Sequence, residues 1–468
     1  MRRIIRPIVP VLLLLVTFAG VSHSKDAMPG KPSNDTERDE SQFIVHEWGT
    51  FTTFSGSDGV YLEFRPLADE RNDLPNFVFN RASSSIRSLF SKARIRGKVR
   101  METPVTYFYT DRVRTVNVQV SFPQGLLTEF YPPVRKMLPA FDEKAAYSVG
   151  EPIGNSSLDW GQLTLIPVDA LAPPIPQEDR ARVAVRIADA LLPRGDHDGH
   201  YAQARKTDSA LVHLHMKPEA SAASDPPDLL ARLIPHRETD YFEKFLFYRG
   251  VGKFELPLSS VVDEDERVTL NNDGQLPMNG AVLVEVRDGK IKAAEIGTVQ
   301  PQQALKFPET QAVTEVDLST MVQRLLIAQG LYQKEASAMT ETWKSSWFTE
   351  EGTRVLYFVP ETLTDELLPL SVKPVPDQTL RVLVGRMELM SPASEQRLIQ
   401  AVRRHHRERL AKAKASSPES KPATLPIPRD IQRFGRMMEP ALVRVSKISR
   451  DLEIRTEAEK LISQLRSP

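Results

Sequence analysis

The sequence predicts an α+β protein, with antiparallel, β-sandwich-like layers in its N-terminal and central part, then a helix pair and a smaller α/β C-terminal part. Three observations carry this reading. Short apolar runs of period two, separated by turn residues, fill the chain from Phe43 to Thr314. The 36 prolines outnumber the 22 glycines and fall between those runs, as stiff turns do. After residue 315 the apolar period changes from two to 3.6.

The chain opens with Arg2, Arg3 and Arg6, an apolar stretch from Ile8 to Val21, and the small residues Ser22 and Ser24. That order is the n-region, h-region and cleavage site of a secretory signal, so residues 1–24 are expected to be removed. The apolar stretch falls short of the roughly 20 residues that span a bilayer, which makes an uncleaved anchor the lesser reading. Residues 25–42 are rich in Lys, Pro, Ser, Asp and Glu and read as a disordered linker. A secreted or periplasmic location follows, and the absence of cysteine leaves no disulfide, thiolate metal site or cysteine nucleophile to consider.

Strands are expected at Val45 to Phe54, with a hairpin through Asp58-Gly59 to Val60, Leu62 and Phe64. Arg81 to Arg100 reads as a short helix or a flap. Val105 to Tyr109, Val116 to Phe122, Leu126 to Tyr131 and Leu163 to Val168 continue the β pattern, as do the runs between Phe245 and Ala294. Residues 43–314 thus form the expected β-rich part and 315–397 a helix pair plus strands. Leu318, Val322, Leu325 and Leu326 share a helical face capped by Asp317 or Ser319 and ended by Gly330, and Ala336, Met339, Trp343 and Trp347 line the next helix. Residues 398–468 read as a basic helical tail with a Pro- and Ser-rich linker. From Ala401 onward that tail holds 16 Lys or Arg against 8 Asp or Glu.

Lys plus Arg and Asp plus Glu both number 61, so no global field draws the chain to nucleic acid, and no nucleic-acid partner is expected. There is no phosphate-binding glycine loop, dinucleotide fingerprint or Gly-x-Ser-x-Gly elbow. The best ligand cluster lies between Asp196 and His215. His213 and His215 alternate with Val212, Leu214 and Met216, which places both imidazoles on one strand face. With His197 and His200 upstream they make a candidate site for zinc or another divalent metal, beside the commoner reading of solvated or hydrogen-bonded histidines.

Other features have a structural reading as strong as any functional one. His46-Glu47 lacks the second histidine of the helical zinc motif, since position 50 is Thr50, and places a His and a Glu on opposite strand faces. Trp48, Tyr107, Phe108, Tyr109, Phe130 and Tyr131 fit a sugar-stacking platform or, more commonly, a core. The Asp58-Gly59 and Asn272-Asp273-Gly274 turns lack the rest of a calcium loop, and the basic run from Arg403 to Arg409 fits a solvated helix face.

The segments His46 to Phe51, Met101 to Val105, Glu243 to Gly250 and Glu335 to Phe348, with Arg354 to Pro360 and Val384 to Arg386, resemble a family of uncharacterised exported bacterial proteins. The matches run in order from Phe43 to Arg397. The resemblance implies export, a bacterial source and a single architecture, and it brings no reaction, cofactor or partner. Without a complete catalytic set, the expected function is a non-catalytic, envelope-associated binding or scaffold protein that needs no cofactor. The alternative is a metal-assisted hydrolase using His197, His200, His213 and His215.

Overall fold

The computed structural model describes residues 42–64, 74–80, 97–139, 154–174, 176–196, 199–216, 240–415 and 425–466. The signal, most of the linker and residues 81–96 of the expected helix or flap from Arg81 to Arg100 lie outside them, while the end of that stretch, Val99 and Arg100, is strand. In chain order the first strands are β1 (Phe43–Ser55), β2 (Phe79–Asn80), β3 (Val99–Thr110), β4 (Arg114–Phe122), β5 (Gly125–Tyr131), β6 (Lys136–Leu138) and β7 (Ser156–Ile166). Helices α1 (Gln177–Leu191) and α2 (His200–Gln203) precede β8 (Leu211–His215), β9 (Asp240–Glu243) and β10 (Leu246–Gly252). Then come β11 (Leu258–Val262), β12 (Val268–Asn272), β13 (Ala281–Arg287), β14 (Lys290–Ile296), β15 (Gln303–Lys306) and β16 (Gln311–Ala312). The C-terminal part holds α3 (Glu315–Ala328), α4 (Gln333–Lys344), β17 (Gly352–Val359), α5 (Glu361–Leu367), β18 (Leu370–Lys373) and β19 (Gln378–Leu389). It ends with α6 (Pro392–Ala415), α7 (Arg429–Gln432), α8 (Met438–Ile448) and α9 (Leu452–Arg466).

The expected α+β organisation is present, with most strands before residue 314 and most helices after it. A ten-stranded sheet in the order β16-β14-β13-β17-β19-β1-β3-β10-β5-β2 forms the centre. Strands from both sides of Thr314 share it, so that position is not a break in the fold. A six-stranded sheet, β18-β4-β7-β8-β9 with β6 on β7, packs over one half, where Trp160 of β7 meets Tyr248 of β10 at 6.3 Å. The third sheet is β11-β12-β15. Pairing is antiparallel throughout the described strands except between β1 and β19.

All 13 residues of β1 are buried, because the second sheet covers one face and the helical layer the other. The chain after Ser55 departs from the expected hairpin. Ser55 and Tyr61 form a single bridge, while Leu62 and Phe64 turn into an apolar cluster with Leu398, Val402, Leu442 and Leu461 of the C-terminal helices. Their alternation therefore reflects burial against helices, not a strand ladder. The neighbours of β1 are β19 and β3.

Helix α3 begins at Thr314, whose side chain accepts from the Asp317 backbone N–H while Asp317 answers from the third position, a reciprocal capping box. Gly330 ends the turn at φ +107°, where a side chain would be strained. In α4 and the wide turn after it, Trp343 and Trp347 stack at 6.2 Å. The expected helical tail ends in two helices, α8 and α9, divided at Ser449 to Asp451 by an extended residue and an aspartate cap. Helix α1 escaped the sequence pattern because the residues it buries are only Ala184 and Ala188.

Gly385 of β19 lies against the flat ring of Tyr357, and an added Cβ would stand 2.0 Å from that ring. Gly385→Ala is expected to cost about 3 kcal/mol, at the upper end for overpacking, because the ring is itself 1% exposed and has nowhere to go. Urea unfolding of the two proteins checks this, and an unchanged midpoint would show that the contact is loose.

Candidate functional site

The structure brings two of the four candidate metal ligands together. His213 and His215 share one face of β8, as their alternation requires, and both meet the same oxygen of Asp240 on β9, at 2.7 and 2.9 Å. The His213 ring also stacks on Phe242, its cross-strand partner, at 4.5 Å. The point on which these nitrogens converge is already occupied by a carboxylate oxygen. His200 sits on α2, where its backbone carbonyl accepts from Thr342, and His197 lies outside the described residues. Among the described residues, no group of three or more His, Asp or Glu is arranged to hold a metal ion.

The aromatic set is a core, not a platform. Trp48, Tyr107 and Phe108 are fully buried, Phe130 and Tyr131 nearly so, and Tyr109 is half-buried. The expected calcium turns serve as turns, with Asp58 accepting from Val60 N–H and Asn272 from Gly274 N–H. The basic face of α6 is less solvated than its sequence implies. His405, His406 and Arg409 all meet the buried Glu457 of α9, and Arg404 pairs with Asp430. Burial raises the Glu457 pKa, but the hydrogen bonds from Arg409 and His406 outweigh it and hold the carboxyl at about 2.

His46 and Glu47 project to opposite faces of β1, and each is matched by a partner distant in sequence. Glu47 accepts from Arg381 Nε at 2.8 Å and Nη2 at 2.6 Å, from Thr106 Oγ1 at 2.9 Å, and from the Tyr248 hydroxyl. Arg381 sends its remaining nitrogen to Asp365 on α5 at 2.8 Å. His46 Nδ1 lies 2.9 Å from Glu335 of α4, whose carboxylate also accepts from the Tyr109 hydroxyl and the Tyr332 backbone N–H. His46 is 1% and Glu47 0% exposed, so both are core residues.

Further along the same strands a third ionic group forms. Glu102 accepts from Thr52 at 2.6 Å and pairs with Arg100 and Arg436, each at 2.9 Å. Glu388 takes Arg354 at 3.0 Å and Arg386 at 2.6 Å, and Arg386 also reaches Glu350 at 3.0 Å. Burial opposes ionisation of both glutamates, yet the facing arginines hold them well below the usual carboxylate range.

A cleft of about 590 Å³ opens over this group, between the edge of the central sheet and helices α6 and α7. Its apolar floor is Leu389, Met390, Phe434 and Met437. Five of its six carboxylates accept hydrogen bonds from the protein: Glu266 from Ser391, Glu350 from Arg386, Glu351 from Gly289, Glu388 from two arginines and Asp430 from Arg404. Arg287, Arg397 and Arg433 of the same wall have no carboxylate within ion-pair distance among the described residues. Glu266, Asp288 and Glu351 likewise have no cationic partner within that distance among the described residues, so the uncompensated charge of the lining is mixed; on the helical wall it is positive, carried by Arg397 and Arg433, whose side chains suit forked binding of carboxylate or phosphate.

The comparisons add no family. No protein-family profile matches the chain, and no curated protein matches its sequence. Among solved structures, the mu homology domain of Fcho1 from Danio rerio with bound Eps15 peptide superposes with a TM-score of 0.26 at 7% identity, covering 75% of this chain and 97% of that one. The yeast delta-COP-I mu-homology domain gives 0.23 at 8% identity, with the same coverages. Superpositions this loose carry no argument about ligand or role, and the site is argued from its own residues.

Sequence reasoning missed Arg397 and Arg433, which look like any solvated helix arginines. A usable signal lay in the strands, where Glu102, Arg381, Arg386 and Glu388 interrupt otherwise apolar runs, since a charge inside a buried strand requires a partner.

Arg381→Met is expected to destabilise the fold by about 3–5 kcal/mol, because it strands the Glu47 carboxylate in the core. Adding Glu47→Gln should restore part of that loss. Chemical denaturation of the two single variants and the double variant measures the coupling, and simple additivity would mean that the pair does not act as one unit.

Proposed function

We propose that this is an exported, non-catalytic binding protein of the bacterial cell envelope, and that its cleft between the central sheet and α6–α7 takes an anionic ligand with an apolar portion. The observation that carries the reading is the helical wall of the cleft: Arg397 and Arg433 stand without acidic partners among the described residues, beside a floor of Leu389, Met390, Phe434 and Met437. A volume of about 590 Å³ lies within the range of small-molecule sites, and an apolar floor with a few placed charges is their usual construction. Export rests on the order of residues 1–24, and the envelope setting on the resemblance of the segments from His46 to Arg386. The described residues hold no helix long and apolar enough to cross a membrane.

A binding role asks for no general base in the cleft. Recognition would run through the guanidiniums, with the ligand's apolar part covering Met390 and Phe434.

Replacing Arg397 and Arg433 together by alanine should weaken binding of carboxylate- or phosphate-bearing amphiphiles by about ten-fold or more, the worth of one or two charge-assisted hydrogen bonds. Both side chains are exposed, so the melting temperature should not change. Calorimetric titration of a fatty acid and an alkyl phosphate tests this, and equal affinity in the double variant would remove the cleft from consideration. N-terminal sequencing of protein recovered from the periplasm or medium should read from Lys25. Protein found only in cytosol with Met1 intact would remove the export half of the proposal.

A further inference from the structure

A second cleft, of about 900 Å³, lies elsewhere in the molecule, walled by Val185 and Asp189 of α1, the end of β3 and residues 205–208. Lys244, in the turn between β9 and β10, is one of its lining residues and is 9% exposed. The carboxylate of its neighbour Glu243 makes no ion pair with the Lys244 amine. That carboxylate is taken by Arg205 at 2.7 and 3.0 Å, by the Tyr201 hydroxyl at 3.2 Å and by the Lys244 backbone N–H at 2.8 Å. The Lys244 amine meets the Thr207 carbonyl oxygen at 2.5 Å, and among the described residues no carboxylate lies within ion-pair distance of it.

A buried ammonium with one backbone acceptor is the opposite of a structural lysine, which would be paired. Burial is the largest influence on this amine and lowers its pKa, with Lys334 acting the same way, while Asp208, Asp189 and Glu243 oppose. The opposition of Asp208 is blunted by its own pairing with Lys334 at 2.6 Å. Lys206 and Lys334 line the same cleft but are exposed, so the cleft contains its own comparators.

We infer that Lys244 is the amine of a covalent carbonyl site, condensing with small aldehydes or ketones that enter this cleft. The amine lone pair forms a C–N bond as the carbonyl π pair moves to oxygen. Both N–H protons then pass to that oxygen, one water leaves, and a C=N bond remains, with no change of oxidation state. The site is separate from the anion-binding cleft and does not rest on it.

Reductive trapping decides the matter on the intact mature chain. Acetaldehyde with cyanoborohydride at pH 7.5, followed by peptide mass mapping, should show Lys244 alkylated several-fold more than Lys206 and Lys334, despite its lower exposure. The excess should vanish in concentrated urea. Alkylation of Lys244 at or below the level of those two lysines would overturn the inference. The comparison is made within one wild-type sample, so no variant has to fold for it to be read; Lys244→Arg should abolish only the adduct at that position.

Discussion

The ion pair between Glu47 and Arg381 sets the arrangement on which the rest of the molecule depends. It joins residues 334 apart in sequence across the parallel β1 and β19 strands, where the two are register partners. Because β1 is buried on both faces, water cannot satisfy any of its polar side chains. The ionised Glu47 in particular requires protein partners, and the partners available define which strands lie beside it. Such a pair adds little net stability over an apolar equivalent, but a slip of one residue would turn Glu47 to the wrong face and leave two charges stranded. The polar residues in the core thus act on register and topology.

The same logic carries from the middle of the sheet to its end. Thr52, Glu102, Arg386, Glu388 and Arg354 continue the ionic row, and Arg436 reaches into it from the C-terminal helical layer. That contact ties the helices to the sheet at a fixed height, helped by Leu62 and Phe64 packing against Leu398, Val402 and Leu442. The cleft is what remains between the two layers. Glu350 and Glu388 are engaged because they belong to the row that holds the layers together, while Arg397 and Arg433 belong only to the helical wall and are left over. The positive character of that wall follows from which of its arginines the row takes.

The period of the apolar residues made much of this legible. Helices α3 and α4, the strands β4 and β19 and the shared face of His213 and His215 all follow from local alternation. Local alternation says which residues are buried, not what buries them, and so Leu62 and Phe64 looked like a second hairpin strand when helices more than 300 residues away cover them. Helix α1 was illegible for the converse reason, since alanine makes a weak apolar stripe. The buried pairs were half legible. Arg381, Arg386 and Glu388 stand out inside a strand-patterned run, but Glu47 and Glu102 could not be assigned to them from separations of hundreds of residues.

The basic C-terminal segment shows how far formal charge is from available charge. Its excess of Lys and Arg reads as a solvated helix face, yet three of its cationic or titratable side chains, His405, His406 and Arg409, converge on the single buried carboxylate of Glu457. Arg444 is similarly taken by Glu395 at 2.6 Å and Asp58 at 3.2 Å, and Arg436 by Glu102. Charges satisfied in this way hold α6, α8 and α9 to each other and to the sheet, and they are not free to draw a ligand. What counts for recognition is the remainder after internal pairing. On the helical wall of the cleft that remainder is Arg397 and Arg433 beside an apolar floor, a local patch on a chain whose total charge is zero.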